Sequence, residues 1–285
     1  MINAKVIADS INPDGDRLTT IEAEFNRYLL AEVNTHRALS RNSASSRAIP
    51  VSRVIRQVWS DPATPIHWGT NQKGMQSRSE LVGWRRSLAK RLFLLARIPA
   101  IAIAWLLTKV GLHKQVTNRI LEPWVWHTAV ISGTEWENFF KLRLHPDAQP
   151  EFQELARCIR EAMDSSAPMK LQWGMWHLPY VDGVDRYVIA GNAAGVDPWL
   201  EGPAKVSAAC CARTSYARQN DRKSVDVDVA FCDRLSSDGH FSPLEHPAVA
   251  ERGSWGNFSG FKQLRKFYSG EDGRTPIVKG PDEHL

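Results

Sequence analysis

Residues 35–48 read THRALSRNSASSRA, and whether this stretch is a disordered Ser/Arg tract or an ordered element decides how the chain folds around it. Three arginines, a histidine, an asparagine and four serines fall within fourteen residues. Low hydrophobicity and like charge favour disorder, because such a segment buries too little apolar surface to offset its ordering entropy. The flanks argue against that. Upstream, RLTTIEAEFNRYLLAEV (17–33) alternates and then turns apolar, and downstream PVSRVIRQVW (50–59) sets Val51, Val54, Ile55 and Val58 at helical spacing. The tract is therefore held between ordered elements.

Working outward, KVIADSI (5–11) and RLTTIEAEF (17–25), separated by NPDGD, predict a β-hairpin, since Pro-Asp-Gly supplies turn geometry between two extended runs. Beyond the helix at 50–59, a polar loop leads to SRSE, where Ser77 and Glu80 have capping-box spacing ahead of a long helix. That helix contains LFLLARIPAIAIAWLLTKVGL. Arg97 and Lys109 bracket only about ten apolar residues, half of a bilayer span, so it reads as a buried helix bent at Pro99, serving the core or a subunit interface. HKQVTNRILEP predicts a helix stopped by Pro123, WVWHTAVIS a buried strand, and Thr134 with Glu137 a capping box for TEWENFFKLR. In the last of these, Trp136, Phe139, Phe140 and Arg143 share one face. Arg143 either has a buried partner or snorkels at the helix C-terminus. PEFQELARCIREAM is an amphipathic helix opened by Pro150, residues 165–203 are loop-rich, and KVSAACCARTSY begins the last segment.

Composition sets the outer limits. The 285 residues are 43% hydrophobic and 24% charged, the profile of a globular protein, and the net charge of +5 with pI near 9.1 fits an anionic ligand. Cys158, Cys210, Cys211 and Cys232 show no CxxC spacing, so neither a metal site nor a disulfide framework is expected. The N-terminus lacks the pattern of a signal peptide, and a cytoplasmic, non-membrane protein is the simplest expectation. A basic nucleic-acid-binding module is the competing class, but no basic-aromatic repeat or nucleic-acid motif accompanies the charge.

THRALSRNSASSR resembles the RHRxxSxNxxSxR signature of flavin-dependent thymidylate synthases: His36, Arg37, Ser40, Asn42, Ser45 and Arg47 match, and Thr35 replaces the first arginine. NRILEP with Arg119, TEWENFFKLR with Asn138 and Arg143, AACCARTSY and GHFSPLEH resemble further elements of that family. The resemblance implies one α/β (α+β) domain over residues 1–285, a mixed sheet flanked by long helices, with 165–203 connecting the two motif-bearing segments. It implies reductive methylation of dUMP to dTMP with methylenetetrahydrofolate, FAD and NADPH, in a homo-oligomer, most simply a tetramer. It assigns Ser45, Ser46, Arg47 and Arg119 to the dUMP phosphate and Arg143 to the uracil, where its charge is catalytic. His36, Arg37, Asn42, Asn138, His240, Ser242 and Glu245 fall to FAD, and no metal is implied. Ser45 has no local base, so it binds rather than attacks, or caps the helix near Pro50.

Two departures stand out. Glu32 occupies a position where the family usually has Gln, and Ser43 one where Glu is common, which leaves open a relative that methylates or hydroxymethylates another pyrimidine nucleotide. The order of elements is also rotated: the family usually places AARxSY and GHxSPFEH first, whereas here they close the chain. A circular permutation broken between His246 and about Arg17 is the expectation, and requires GHFSPLEH to lie beside the 17–25 strand and near His36; the alternative is that GHFSPLEH belongs to an added domain and matches by chance.

Overall fold

The computed structural model describes residues 1–74, 76–183, 185, 199–215 and 224–271. Strands β1 (Asn3–Ile11) and β2 (Arg17–Asn26) form the expected antiparallel hairpin. Asn12 closes its turn: Asn12 Nδ2 donates to Asp16 Oδ2 at 2.9 Å, Asn12 Oδ1 accepts from the Asp16 amide at 2.9 Å, and Gly15 adopts φ 95°. The chain then makes a short turn of helix, α1 (Leu30–Val33), and enters the Ser/Arg tract, whose centre is itself a strand, β3 (Ser40–Ser43). β4 (Trp126–Gly133) pairs antiparallel with both β2 and β3. With β5 (Met169–Lys170) parallel to β1, the sheet runs β3-β4-β2-β1-β5, a mixed sheet in an α/β architecture.

Both faces of this sheet are covered, which is why β4 reads as a continuous buried run from Ala129 to Gly133 instead of alternating. On one face Ile21, Ala23 and Phe25 of β2 pack with Ala129 and Ile131 against α5 (Glu137–Arg143) and α6 (Pro150–Asp164). α6 presents Phe152, Leu155, Ala156, Ile159 and Met163 inward, a helical repeat of apolar side chains, with Pro150 at its first turn. A second sheet, β6 (Trp176–His177), β7 (Ala248–Trp255) and β8 (Phe258–Gln263), lies against the hairpin through Leu18, Leu171, Ala248, Ala250, Phe258 and Phe261. Helices α7 (Lys205–Ala212) and α8 (Val225–Ser237) add their own cluster around Leu178, Val206, Cys210, Cys232 and Leu244. Within the loop-rich 165–203 region, 184 and 186–198 lie outside the described residues, as does Tyr216 of CCARTSY.

Several local expectations are corrected. The long helix, α3 (Gly83–Lys109), runs through Pro99 but is not buried: only Ala100 and Ala104 are, against Val54 and Val58 of α2 (Val51–Ser60) and against Leu121 and Trp124. One narrow seam of alanines suffices for its packing, so apolar composition alone overstated its burial. Ser77 and Glu80 do not cap it. Ser77 Oγ donates to the Thr70 carbonyl at 2.8 Å and Glu80 Oε1 accepts from the Trp68 amide at 3.0 Å, so both tie down the preceding loop. Thr134 likewise accepts from the Ser259 amide at 3.1 Å, linking β4 to β8 in place of capping α5. HKQVTNRILEP becomes a short helix, α4 (Lys114–Thr117), followed by 3-10 turns over Asn118–Trp124 that include Pro123. The helix at Pro50 has no side-chain cap; Ser45 Oγ accepts from the Arg47 amide at 3.3 Å.

Gly260 in β8 marks the closest approach between the second sheet and the hairpin turn. It has φ 71°, its carbonyl accepts from Asn12 Nδ2 at 3.2 Å, and a Cβ there would stand 2.1 Å from that nitrogen and 2.2 Å from Asp16 Oδ2. Gly260→Ala should destabilise the protein by roughly 1–3 kcal/mol through strain and displaced contacts. Thermal unfolding should show a midpoint lowered by several degrees, whereas Ala at the unobstructed Gly183 should leave it unchanged.

Candidate functional site

α5 ends on Arg143, and its side chain turns back into the body of the protein. Arg143 Nε donates to His36 Nε2 at 2.8 Å, Nη1 pairs with Glu32 Oε2 at 3.0 Å, Nη2 reaches Thr35 Oγ1 at 3.4 Å, and the guanidinium lies 4.2 Å over the Phe152 ring. Of the two sequence readings of Arg143, the buried partner is the observed one. His36 is buried edge-on to Phe139 and Phe152. Burial, then the nearby Arg143 and Arg41, push its pKa down to about 4, so at neutral pH it is an uncharged ring able to accept the Arg143 proton. Glu32 and Arg143 of this group border a cavity of about 590 Å³ with Tyr28, His67, Gln76 and Glu151.

One residue further on, Arg37 is exposed. With Leu39, Arg41, Glu245, Gly256, Asn257 and Arg265 it lines a cleft of about 370 Å³. Arg41 Nη1 donates to the His36 carbonyl, joining the two sites, and Arg265 Nη1 donates to Glu245 Oε1 at 3.0 Å. Burial lowers the Arg41 pKa, with Glu245 opposing. Three guanidinium groups and one carboxylate leave this cleft net positive. Asn138 lines a smaller recess of about 120 Å³ between Arg37 and Leu142.

The tract also gathers the two C-terminal motifs. Asn42 Nδ2 donates to the Cys211 carbonyl at 2.7 Å, and Ser242 Oγ donates to Asn42 Oδ1 at 3.2 Å, so one side chain touches both CCARTSY and GHFSPLEH. His246 reaches β2 through Ser132: His246 Nδ1 to Ser132 Oγ is 2.8 Å and Ser132 Oγ to Thr20 Oγ1 is 2.6 Å. His240 is exposed, and its amide donates to the Leu235 carbonyl at the end of α8.

Ser45, Ser46 and Arg47 form the turn between β3 and α2. Arg119 pairs with Glu122 at 2.9 Å; it is the neighbouring Asn118 that ties this turn down, donating to the Ser46 and Ile49 carbonyls at 2.7 and 2.9 Å, while Lys114 Nζ donates to the Ala48 carbonyl. Arg41, Asn118, Asn257, Gln263 and Arg265 are the participants that sequence reasoning missed. Asn257 Nδ2 donates to the Ala38 carbonyl at 3.0 Å and Gln263 Nε2 to Ser40 Oγ at 3.0 Å, latching the tract onto the β7–β8 hairpin. Arg41 stood inside the quoted tract and was legible there as a third arginine; the others carried no local signal. Among the described residues, no group of three or more His, Cys, Asp or Glu side chains could hold a metal ion.

No family model matches the chain, and no curated protein matches it. Among solved structures it is similar to the flavin-dependent thymidylate synthase ThyX of Helicobacter pylori complexed with FAD and dUMP, at 16% identity over 51% of this chain and 67% of that one, TM-score 0.35. It is also similar to a UMP/dUMP methylase, PolB of Streptomyces cacaoi, bound with 5-Br UMP, at 13% identity over 57% of this chain and 88% of that one, TM-score 0.48. Each similarity spans little more than half of this chain.

Burial holds three histidines neutral: His36 with a pKa of about 4, and His127 and His246 with values of about 3. Each lies below the ordinary value of 6.5, so the unfolded chain binds more protons than the folded one as pH falls. Their contribution is present in full above about pH 6.5 and is lost on acidification towards pH 4 and below. Melting curves should show a midpoint that falls through this window, and less steeply in His246→Gln, which keeps a polar group but cannot take up the proton.

Proposed function

We propose that the protein is a flavin-dependent enzyme that methylates the pyrimidine ring of dUMP, of the thymidylate synthase type. The observation that carries this is that Arg37 and Arg41 of the Ser/Arg tract share one net-positive cleft with Glu245 of GHFSPLEH, while Asn42 of the tract touches both CCARTSY and GHFSPLEH. The excess of guanidinium in that cleft suits the diphosphate of FAD, which Arg37, Arg41 and Arg265 would hold by charge-assisted bonds, with Ser242 and Glu245 at its edge, Asn138 in the adjoining recess and His240 beyond. Reduced flavin, when bound, supplies a hydride to the pyrimidine. Ser45, Ser46, Arg47 and Arg119 would take the dUMP phosphate at the turn before α2. Arg143 would stand against the uracil and stabilise negative charge developing on the ring. His36, buried, uncharged and outside the lining of the cleft, would orient Arg143 and so act through it, in place of the FAD contact that the resemblance implies. Methylenetetrahydrofolate, NADPH and a homotetrameric assembly belong to the same reading and rest on the motif resemblance. The contact of His246 with Ser132, and through it with Thr20, supports a circularly permuted order of the family's elements.

A second reading rests on Glu32. Its carboxylate neutralises much of the Arg143 charge, and this favours a relative that acts on a different pyrimidine nucleotide or leaves a hydroxymethyl group. The mass of the product formed from dUMP, methylenetetrahydrofolate and NADPH separates the readings: a gain of one methyl supports the first, a hydroxymethyl the second, and no product with any pyrimidine nucleotide sinks both.

Two variants test the assignments. Arg143→Ala should lower turnover about a hundredfold or more while flavin absorbance of the purified protein persists. Arg37→Ala should weaken FAD binding by about tenfold or more, read by flavin fluorescence titration, because an exposed charge-assisted donor is lost without disturbing the core.

A further inference from the structure

The outward face of α3 has no partner among the described residues and is both apolar and cationic. Leu88, Leu92, Leu95, Ile98, Trp105 and Leu106 are each between 45 and 57% exposed along a helix about 40 Å long, whose opposite side is sealed onto α2 and the 118–124 turns. No Asp or Glu occurs between Glu80 and Glu122, and Arg85, Arg91 and Lys109 are exposed off the buried seam, whereas Arg86, paired with Glu80, and Lys90 stand on the arc that carries Ala100 and Ala104. Tryptophan stands at both ends of the helix: Arg85 lies 5.7 Å from the Trp84 ring and Lys109 5.3 Å from the Trp105 ring, pairs with one apolar body and one charged head each. Trp59, 59% exposed on α2, adds a third beneath Arg97.

From this we infer that the outward face of α3 docks onto an anionic lipid bilayer, lying in the interface plane. The combination of a continuous apolar stripe, flanking Lys and Arg, no acids and terminal tryptophans is what the boundary between anionic headgroups and acyl chains accommodates. The helix is long and apolar enough to cross a bilayer by composition, with mean hydropathy 1.7 over its most apolar 18 residues. Crossing is opposed by its attachment. Arg97 Nη1 donates to the Val58 and Trp59 carbonyls at 2.7 Å, and Trp124 Nε1 donates to the Phe93 carbonyl at 3.1 Å, so insertion would carry charged and polar groups of α2 into hydrocarbon. A second copy of the chain on this face is the competing occupant. It would set two acid-free cationic surfaces against each other, and like charges brought together in an interface are repulsive. Anionic lipid supplies the opposite charge.

The test is vesicle flotation of the full chain with phosphatidylcholine alone and with phosphatidylcholine mixed with phosphatidylglycerol. Binding to the anionic vesicles only is expected, weakening as salt rises. Arg85→Glu with Arg91→Glu should weaken it about tenfold or more, and Leu95→Gln should weaken it at any salt, with circular dichroism unchanged since these side chains lie off the seam that carries Ala100 and Ala104. The salt dependence of the unaltered protein gives a readout that does not rely on any variant folding. Absence of flotation with anionic vesicles, or equal flotation with neutral ones, overturns the inference. So does self-association in sedimentation experiments that Leu95→Gln abolishes while no vesicle binding is seen.

Discussion

Five side chains, Ser10, His177, Thr20, Ser132 and His246, form an unbroken buried line of hydrogen bonds through the middle of the molecule, with steps of 2.9, 2.8, 2.6 and 2.8 Å. They come from β1, β6, β2, β4 and the end of GHFSPLEH, so the line crosses from the five-stranded sheet to the second sheet and to the C-terminal motif. Polar groups this deeply buried are costly unless each finds a partner. The alternation of β2 therefore has a second meaning. One face, Ile21, Ala23 and Phe25, is hydrocarbon against α6; the other carries Thr20, and the elements that can satisfy it are drawn to that place. The position of GHFSPLEH, and through it the net-positive cleft, follows from this constraint.

The two halves of the candidate site share a single step of backbone. His36 turns inward to Arg143 and Arg37 outward to the cleft, while Arg41 holds the His36 carbonyl between them. Such a fork couples the two sites geometrically, because a shift of this one peptide moves a residue of each. Electrostatically they differ. The inner site is close to balanced, with Glu32 against Arg143 and a neutral His36, whereas the outer one keeps an excess of positive charge. A half-buried guanidinium with all three of its nitrogens engaged is a rigid donor rather than a mobile counter-ion.

α3 illustrates how composition and environment separate. Its hydropathy is that of a core helix, yet only Ala100 and Ala104 are fully buried, Phe93 and Ile101 are partly buried beside them, and Leu88, Leu92, Leu95, Ile98, Trp105 and Leu106 remain exposed. A 3.6-residue repeat can be read from a sequence, but which arc of an apolar helix meets the protein depends on what the neighbouring elements leave open. The capping boxes at Ser77–Glu80 and Thr134–Glu137 failed for a related reason. Both pairs had the right spacing, but Ser77 and Glu80 bond to backbone groups of the loop before them and Thr134 to the Ser259 amide, partners with no sequence signature of their own.

The hairpin around NPDGD, the buried strand β4, the amphipathic helix α6 and the ordered state of the Ser/Arg tract were all determined by the sequence itself, because turn chemistry, period and flanking apolar runs act over a few residues. His36, Arg37 and Arg143 were likewise legible as a set of residue types suited to anions and to an uncharged ring. Only the tertiary structure decided that His36 is buried against Arg143 while Arg37 is exposed at the cleft, that Glu32 pairs with Arg143, that Arg265 and Asn257 complete the cleft, and that Asn118 rather than Arg119 holds the turn before α2. Those choices depend on groups brought together from about 70 to more than 200 residues away, and pairing at that range is set by burial and by which polar groups remain to be satisfied, quantities that no local stretch of sequence contains.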